Sequence, residues 1–192
     1  MSKNIILIII SLILFSFTKI NVLNNNTIIK IASESKLEIL GSTNVNKFAC
    51  NFNFYEVDKT IPLSFKKVGN KVYFEKAVLE LKNSGFDCGN KVMNKDFFKL
   101  LKSEEFPKIL LNLKEVEKEE TITEALVEMT IAGVSKKYKV PVTIEEDDEF
   151  LVSGNLNLNI EDFNIKAPKK MLGLIVVSEM INIHFNLVLN QK

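Results

Sequence analysis

The sequence predicts an all-β protein, wound into a closed or nearly closed antiparallel barrel of about eight strands with one short helix. Three observations predict it. Apolar and polar residues alternate with period two through most of the chain beyond residue 35, the mark of strands buried on one face. Turn signals such as VGNK (68–71) and EEDDE (145–149) separate the alternating runs. A single segment, MNKDFFKLLKS (93–103), changes to helical spacing. A two-sheet sandwich fits the same pattern and is the alternative; a closed barrel removes exposed strand edges altogether.

The chain opens on MSKNIILIIISLILFSFTKIN. Lys3 supplies a positive start, and Ile5 to Phe17 is apolar apart from Ser11 and Ser16. That length suits the core of a signal peptide and is short for a membrane span. Residues 1–20 are therefore expected to be a signal peptide, with Ser16 and Thr18 as the small pair before cleavage; an uncleaved anchor is the alternative. The remainder is expected to be exported, periplasmic or secreted. No repeat, linker or low-complexity stretch divides it, so 27–190 reads as one domain.

Each element follows from its own pattern. KLEIL alternates over 36–40. In FACNFNF, Phe48, Cys50, Phe52 and Phe54 share a face opposite Ala49, Asn51 and Asn53. In KVYFEKAVLELK (71–82), Ala77, Leu79 and Leu81 oppose Lys76, Val78 and Glu80. In ITEALVEMTIAGV (122–134), Ala125, Val127, Met129 and Ile131 line up against Glu124 and Glu128. KYKVPVTI (137–144) sets Tyr138, Val140, Val142 and Ile144 together, and Pro141, lacking an N–H, belongs at an edge or bulge. In FLVSGNLNLNI (150–160), Leu156, Leu158 and Ile160 oppose Asn155, Asn157 and Asn159. The last run, EMINIHFNLVLN (179–190), sets Ile181, Ile183, Phe185, Leu187 and Leu189 against Asn182, His184 and Asn186. The helix is expected near 95–103, with Asn94 as N-cap, Asp96 in the first turn and Pro107 beyond the end. Its Phe97, Phe98, Leu100 and Leu101 fit a plug for one end of the barrel.

Composition narrows the chemistry. With 25 Lys and Arg against 24 Asp and Glu, the net charge of +1 lacks the basic bias of a nucleic-acid binder. His184 is the lone histidine and alternates onto the polar face, where an exposed strand residue is the reading over a catalytic base. The acidic run 145–149 has no EF-hand spacing and reads as a solvated turn. Asn155, Asn157 and Asn159 read as a wet outer face rather than a recognition ladder. The loop IKAPKKMLGLIVV (165–177) places Met171, Leu172, Leu174 and Ile175 beside Lys169 and Lys170; it suits either a portal for an apolar ligand or a loop folded back on the barrel. No Ser-His-Asp set, supported carboxylate pair or phosphate-cradling glycine loop is present, so no enzyme and no metal site are expected.

The order of these features resembles the YceI-like family of exported bacterial proteins. The resemblance rests on a strand leading into GSTNVNKFAC (41–50), on GFDCGNKVMNKDFFKLLKSEEFPKI (85–109) with Met93, Asn94 and Asp96, and on EDFNI (161–165) followed by the strand around SEMINIHFNL (178–187). It implies a lipocalin-like barrel with an apolar tunnel that holds an isoprenoid lipid or quinone. The better-known members carry a histidine in the segment corresponding to GSTNVN, and this chain has none.

Cys50 and Cys88 are the only cysteines. There is no C-x-x-C and no third soft ligand, so a structural disulfide is expected over a redox or metal-binding thiol. The expected lipid-binding set is the inward one: Phe48, Phe52, Phe54, Leu79, Leu81, Ala125, Val127, Met129, Leu156, Leu158, Ile183, Phe185 and Leu187. The partner is an apolar lipid, with no nucleic acid, no cofactor beyond that lipid, and membrane contact only through the N-terminal signal or transient lipid exchange. The alternative is a structural or interaction protein whose bulky inward phenylalanines fill the barrel.

Overall fold

The computed structural model describes residues 23–57 and 60–191. The expected signal peptide, 1–20, lies outside them. Among the described residues, strands dominate and one α-helix, α1 (Lys91–Leu100), interrupts them. The strands are β1 (Leu23–Ile31), β2 (Lys36–Ser42), β3 (Lys47–Phe52), β4 (Thr60–Val68), β5 (Lys71–Lys76), β6 (Val78–Lys82), β7 (Phe86–Asp87), β8 (Lys108–Lys118), β9 (Thr123–Ile131), β10 (Val134–Glu146), β11 (Phe150–Asn159), the short pair β12 (Lys169–Lys170) and β13 (Ile175–Val176), and β14 (Met180–Gln191).

The main sheet closes on itself. Its order β1-β4-β5-β8-β9-β10-β11-β14 returns to β1 through Ile29↔Gln191 and Ile31↔Leu189, a ring of eight antiparallel strands. The sandwich alternative is thereby set aside. The remaining strands prolong this ring. β1 and β2 both lie along β14, β4 and β3 lie along β1 and β2 in turn, and β5 and β6 both lie along β8. The architecture is thus an eight-stranded meander in which three long strands are interrupted. Closure satisfies the backbone groups that an open edge would leave bare.

The interruptions have local causes. Between β1 and β2 the chain leaves the ladder at Ala32–Ser35, and the Ser35 hydroxyl takes the place of a rung. It accepts from the Val188 N–H at 3.0 Å, while the Ala32 N–H donates to the Val188 carbonyl at 2.9 Å. Ser35 and Val188 are both buried there, so this hydroxyl is the partner that keeps a buried N–H satisfied. Between β3 and β4 a 3-10 turn, Phe54–Glu56, is capped by the Asn53 side chain, which accepts from the Tyr55 N–H. β3 therefore ends at Phe52, and Phe54, expected on the strand, is buried from this turn instead. The run 71–82, expected as one strand, is split into β5 and β6 at Ala77, whose carbonyl still accepts from the Leu113 N–H.

Helix α1 begins earlier than its sequence suggested. Asn90, not Asn94, is the N-cap, its side chain accepting from the Met93 N–H at 3.0 Å. Asn94 faces back instead, accepting from the Cys88 N–H at 2.6 Å and donating to Asp87 at 3.0 Å. Both asparagines have cap chemistry, and only the path from β7 decides between them. Leu101 is buried, and Met93, Phe97 and Leu100 pack against the core, so the helix, which lies within the connection between β7 and β8, lays its apolar side on the core. Buried Asn83 ties the far end of this connection, donating to Ser103 Oγ and the Phe106 carbonyl, each at 2.8 Å.

The core lies on the inner face of the ring, with Ile31, Leu81, Val140, Leu158 and Phe163 among its most buried members. The outer face carries cross-strand ion pairs: Lys71 with Glu115 and Glu117, Lys114 with Glu128, and Lys139 with Glu124. These pairs, all partly exposed, add register preference more than stability. Pro141 pairs with Glu124 of β9, one residue before the β10–β11 ladder begins at Val142, which is the edge position its missing N–H requires. Ile144, expected inward, is 42% exposed, because β10 runs past the core into the hairpin that holds the acidic run.

Candidate functional site

The inner face of the barrel gathers the expected lipid-binding residues. Phe52, Phe54, Leu81, Ala125, Met129, Leu156 and Leu158 are buried. Phe48, Leu79, Val127, Ile183, Phe185 and Leu187 pack against the same core yet remain only partly buried. These six side chains point inward and keep accessible surface, whereas an interior filled to crystal density would bury them fully.

Three of the phenylalanines lie against glycines, Gly41 and Gly154 in the wall and Gly85 in the 3-10 turn Asn83–Gly85 before β7. A Cβ added at Gly41 would stand 2.2 Å from Phe48 Cζ, one at Gly85 2.7 Å from Phe52 Cε2, and one at Gly154 2.5 Å from Phe185 Cζ. The rings thus fill the slots that missing side chains vacate and lie along the wall. Gly154 and Phe185 are direct cross-strand partners, as are Gly41 and Phe48. The phenylalanines were legible in the sequence and these glycines were missed. The signal was present: Gly41 continues the inward series Leu37, Ile39, and Gly154 continues Leu158, Leu156.

One flank of the site is stapled. Cys50 and Cys88 form the expected disulfide, with Cα atoms 3.9 Å apart and a sequence separation of 38. Both are buried. Beside them Phe52 packs edge-on against Phe54 (5.0 Å) and Phe86 (4.8 Å), and Phe86 continues to Phe97 of α1 at 5.3 Å. The Asn94 side chain and then the Gly89 N–H hold the Asp87 carboxyl below its usual range. The staple, the aromatic chain and the Asn94 contacts thereby fix α1 to β3.

The wall is least complete between β6 and the start of β4. Here β6 pairs with β8 on one side only, and a cavity of about 340 Å³ is bordered by inward Phe52, Ile61 and Leu79 together with outward Glu80, Lys82 and Lys108. A wider groove of about 940 Å³ crosses the register row Val142–Gly154–Phe185–Leu37. Its borders combine inward Leu37, Phe52, Val142 and Phe185 with outward Glu38, Asn155, His184 and Asn186, so it is not confined to the outer face.

The polar candidates resolve individually. His184 is exposed on the outer face opposite Glu38 and Asn155. The Asn182 amide N–H groups donate to the side-chain oxygens of Asn155 and Asn157, so the asparagines pair along the wall, while the Asn182 side-chain oxygen is buried without a partner among the described residues. Residues 145–149 are exposed in the β10–β11 hairpin. Among the described residues, no group of three His, Cys, Asp or Glu is placed to hold a metal ion. Tyr138 stacks on Phe163 and donates to Asp162 at 2.7 Å; burial first, and the Asp162 bond second, push its phenol above the usual range. The loop 165–177 is divided. Ile165 is buried and Ile175 partly buried, whereas Leu172 and Leu174 stand in solvent.

Comparison with known proteins follows the fold. The YceI-like domain matches residues 32–189. No curated protein matches in sequence. A polyisoprenoid binding domain from Saccharophagus degradans superposes with a TM-score of 0.62 at 13% identity, over 85% of this chain and 98% of that one. BcnA of Burkholderia cenocepacia gives 0.58 at 17% identity, over 81% and 96%. The Campylobacter jejuni YCEI protein gives 0.52 at 20% identity, over 62% and 73%. At these identities the structures share the fold.

Proposed function

Because this chain belongs to the YceI-like domain family, and its closed barrel keeps apolar inward side chains accessible, we propose that it is an exported, non-enzymatic binding protein. It holds a long apolar molecule, an isoprenoid lipid or a quinone, inside the barrel. The observation that carries this reading is the partly buried inward set Phe48, Leu79, Val127, Ile183, Phe185 and Leu187. An apolar chain laid along them stabilises the complex by about 0.8 kcal/mol per buried methylene, with few polar contacts needed. The fold shared with a polyisoprenoid binding domain supports the same ligand class.

Organic extraction of the purified protein followed by mass spectrometry tests the reading. A prenyl lipid or quinone in stoichiometric amount is the expected result, and delipidated protein should take up a polyprenyl lipid in titration. Protein that extracts empty and takes up none leaves the barrel as a structural or interaction module.

A further inference from the structure

One end of the barrel carries apolar side chains that the fold holds in solvent. The β12–β13 hairpin turns at Leu172 and Gly173, and Leu172 adopts left-handed φ 56° and ψ 28°, a conformation disfavoured for a residue with a branched side chain. The side chain thus presented is fully exposed, and Leu174 is 72% exposed beside it. Asn44 joins this hairpin to the β2–β3 turn: its amide donates to the Leu174 carbonyl at 2.9 Å and its side-chain oxygen accepts from the Val176 N–H at 3.0 Å. Thr43 Oγ1 in turn accepts from the Val45 and Asn46 N–H groups, and Val45 is 66% exposed. Two braced turns therefore hold Leu172, Leu174 and Val45 outward at one end. Exposed apolar surface of this kind marks an interaction site.

The charge around it identifies the partner. Segments 41–49 and 164–178 contain lysines, among them exposed Lys47, Lys166 and Lys169, and no aspartate or glutamate, in a chain whose net charge is only +1. Glu179 follows at the base of the hairpin, and Asp162 is engaged by Tyr138. A protruding apolar tip on two segments that carry exposed lysines and no acids suits the headgroup region of an anionic bilayer, where leucines enter the acyl boundary and lysines stay among the phosphates. A flat protein surface has no recess for such a tip. We propose that the joined turns 43–46 and 171–174 form a membrane-docking tip that inserts Leu172, Leu174 and Val45 into the surface of an anionic lipid bilayer. This site stands apart from the barrel interior and does not depend on what the interior holds.

The test uses the full chain with a polarity-sensitive fluorophore on Leu172→Cys, the native cysteines being paired, and a second protein labelled on Gly69→Cys in the β4–β5 turn as reference. On vesicles of equimolar phosphatidylglycerol and phosphatidylcholine, the label at 172 should shift to the blue and the label at 69 should not. The contrast between positions separates tip insertion from any attachment through the N-terminal segment. An unlabelled Leu172→Ser/Leu174→Ser variant should compete more than about tenfold less well for the vesicles. Each of Lys166→Gln and Lys169→Gln should weaken binding roughly fivefold on anionic vesicles and little on pure phosphatidylcholine. The proposal is overturned if the label at 172 stays in water, if both labels respond alike, or if the double serine variant competes undiminished. A shift that appears without vesicles and grows with protein concentration also overturns it, in favour of a second copy of the chain.

Discussion

The glycine slots make the sharpest prediction about where the inward rings lie. At Gly154 an added Cβ meets Phe185 Cζ at 2.5 Å and also the Pro141 carbonyl oxygen at 2.9 Å. At Gly41 its three nearest atoms all belong to the Phe48 ring, at 2.2, 2.5 and 3.0 Å, so no backbone atom lies closer than that ring. A ring tip can swing toward free space, whereas a backbone oxygen inside a ladder cannot. Overpacking costs about 1–3 kcal/mol, and replacing glycine by alanine in a strand recovers roughly 0.5–1 kcal/mol through the unfolded chain. Gly154→Ala should therefore lose about 1–2 kcal/mol net, and Gly41→Ala should come out near zero. At about 2–4 °C per kcal/mol for a domain of this size, the first variant melts roughly 2–8 °C lower and the second about where the parent does. Thermal unfolding by circular dichroism of delipidated protein reads both. Adding Phe185→Leu should reduce the cost of Gly154→Ala without abolishing it, because the Pro141 oxygen stays in place. Gly41→Ala, by driving Phe48 into the interior, should weaken polyprenyl uptake while leaving the melting temperature unchanged. A Gly154→Ala variant as stable as the parent, or a Gly41→Ala variant less stable than it, refutes the reasoning that the rings lie in these slots.

Four further outcomes are expected. Reducing the Cys50–Cys88 bond, which closes a separation of 38 residues, should lower stability by about 4 kcal/mol in the chain-entropy account; urea unfolding with and without reductant measures it, and a difference below about 1 kcal/mol counts against the staple. Ser35→Ala strands the Val188 N–H and should cost about 1–3 kcal/mol in the same assay, with a neutral result showing that water takes its place. Phe97→Asp sets a charge against Phe86 and the core and should lose about 2–4 kcal/mol, whereas unchanged stability would place the helix on the surface. Tyr138 has its folded pKa raised, so its neutral form stabilises the fold fully below the unfolded value of about 10 and that contribution is lost as pH rises through the folded value. Tyr138→Phe should accordingly flatten the alkaline fall in stability, and an identical pH profile would rule the phenol out.

Much of this molecule is written in period two. β11 and most of β14 could be read by alternation, because one face meets the core and the other is largely open; Val188, on the outward face, is buried where Ala32 and Ser35 lie against it. The inward set and the two cysteines on the segments that meet were legible for the same reason. Strands β1, β4 and β8 were not singled out. The apolar side of β1 is confined to its end, in LNNNTIIKI, and a register shift between Leu113 and Glu115 breaks the alternation of β8. Helix α1 was found but its start was displaced, because Asn90 and Asn94 offer the same capping oxygen and the choice between them depends on β7 lying against β3. Pattern alone also could not show that the long strands break at Ser35, Asn53 and Ala77, since each break is stabilised by hydrogen bonds to groups distant in sequence or by a local cap. Whether the barrel is full is the clearest case. Alternation gives the direction of every side chain, but free volume is a sum over eight strands at once. Only the closed structure shows that Phe48 and Phe185 rest on glycines of the wall, and Phe52 on Gly85 of the turn before β7.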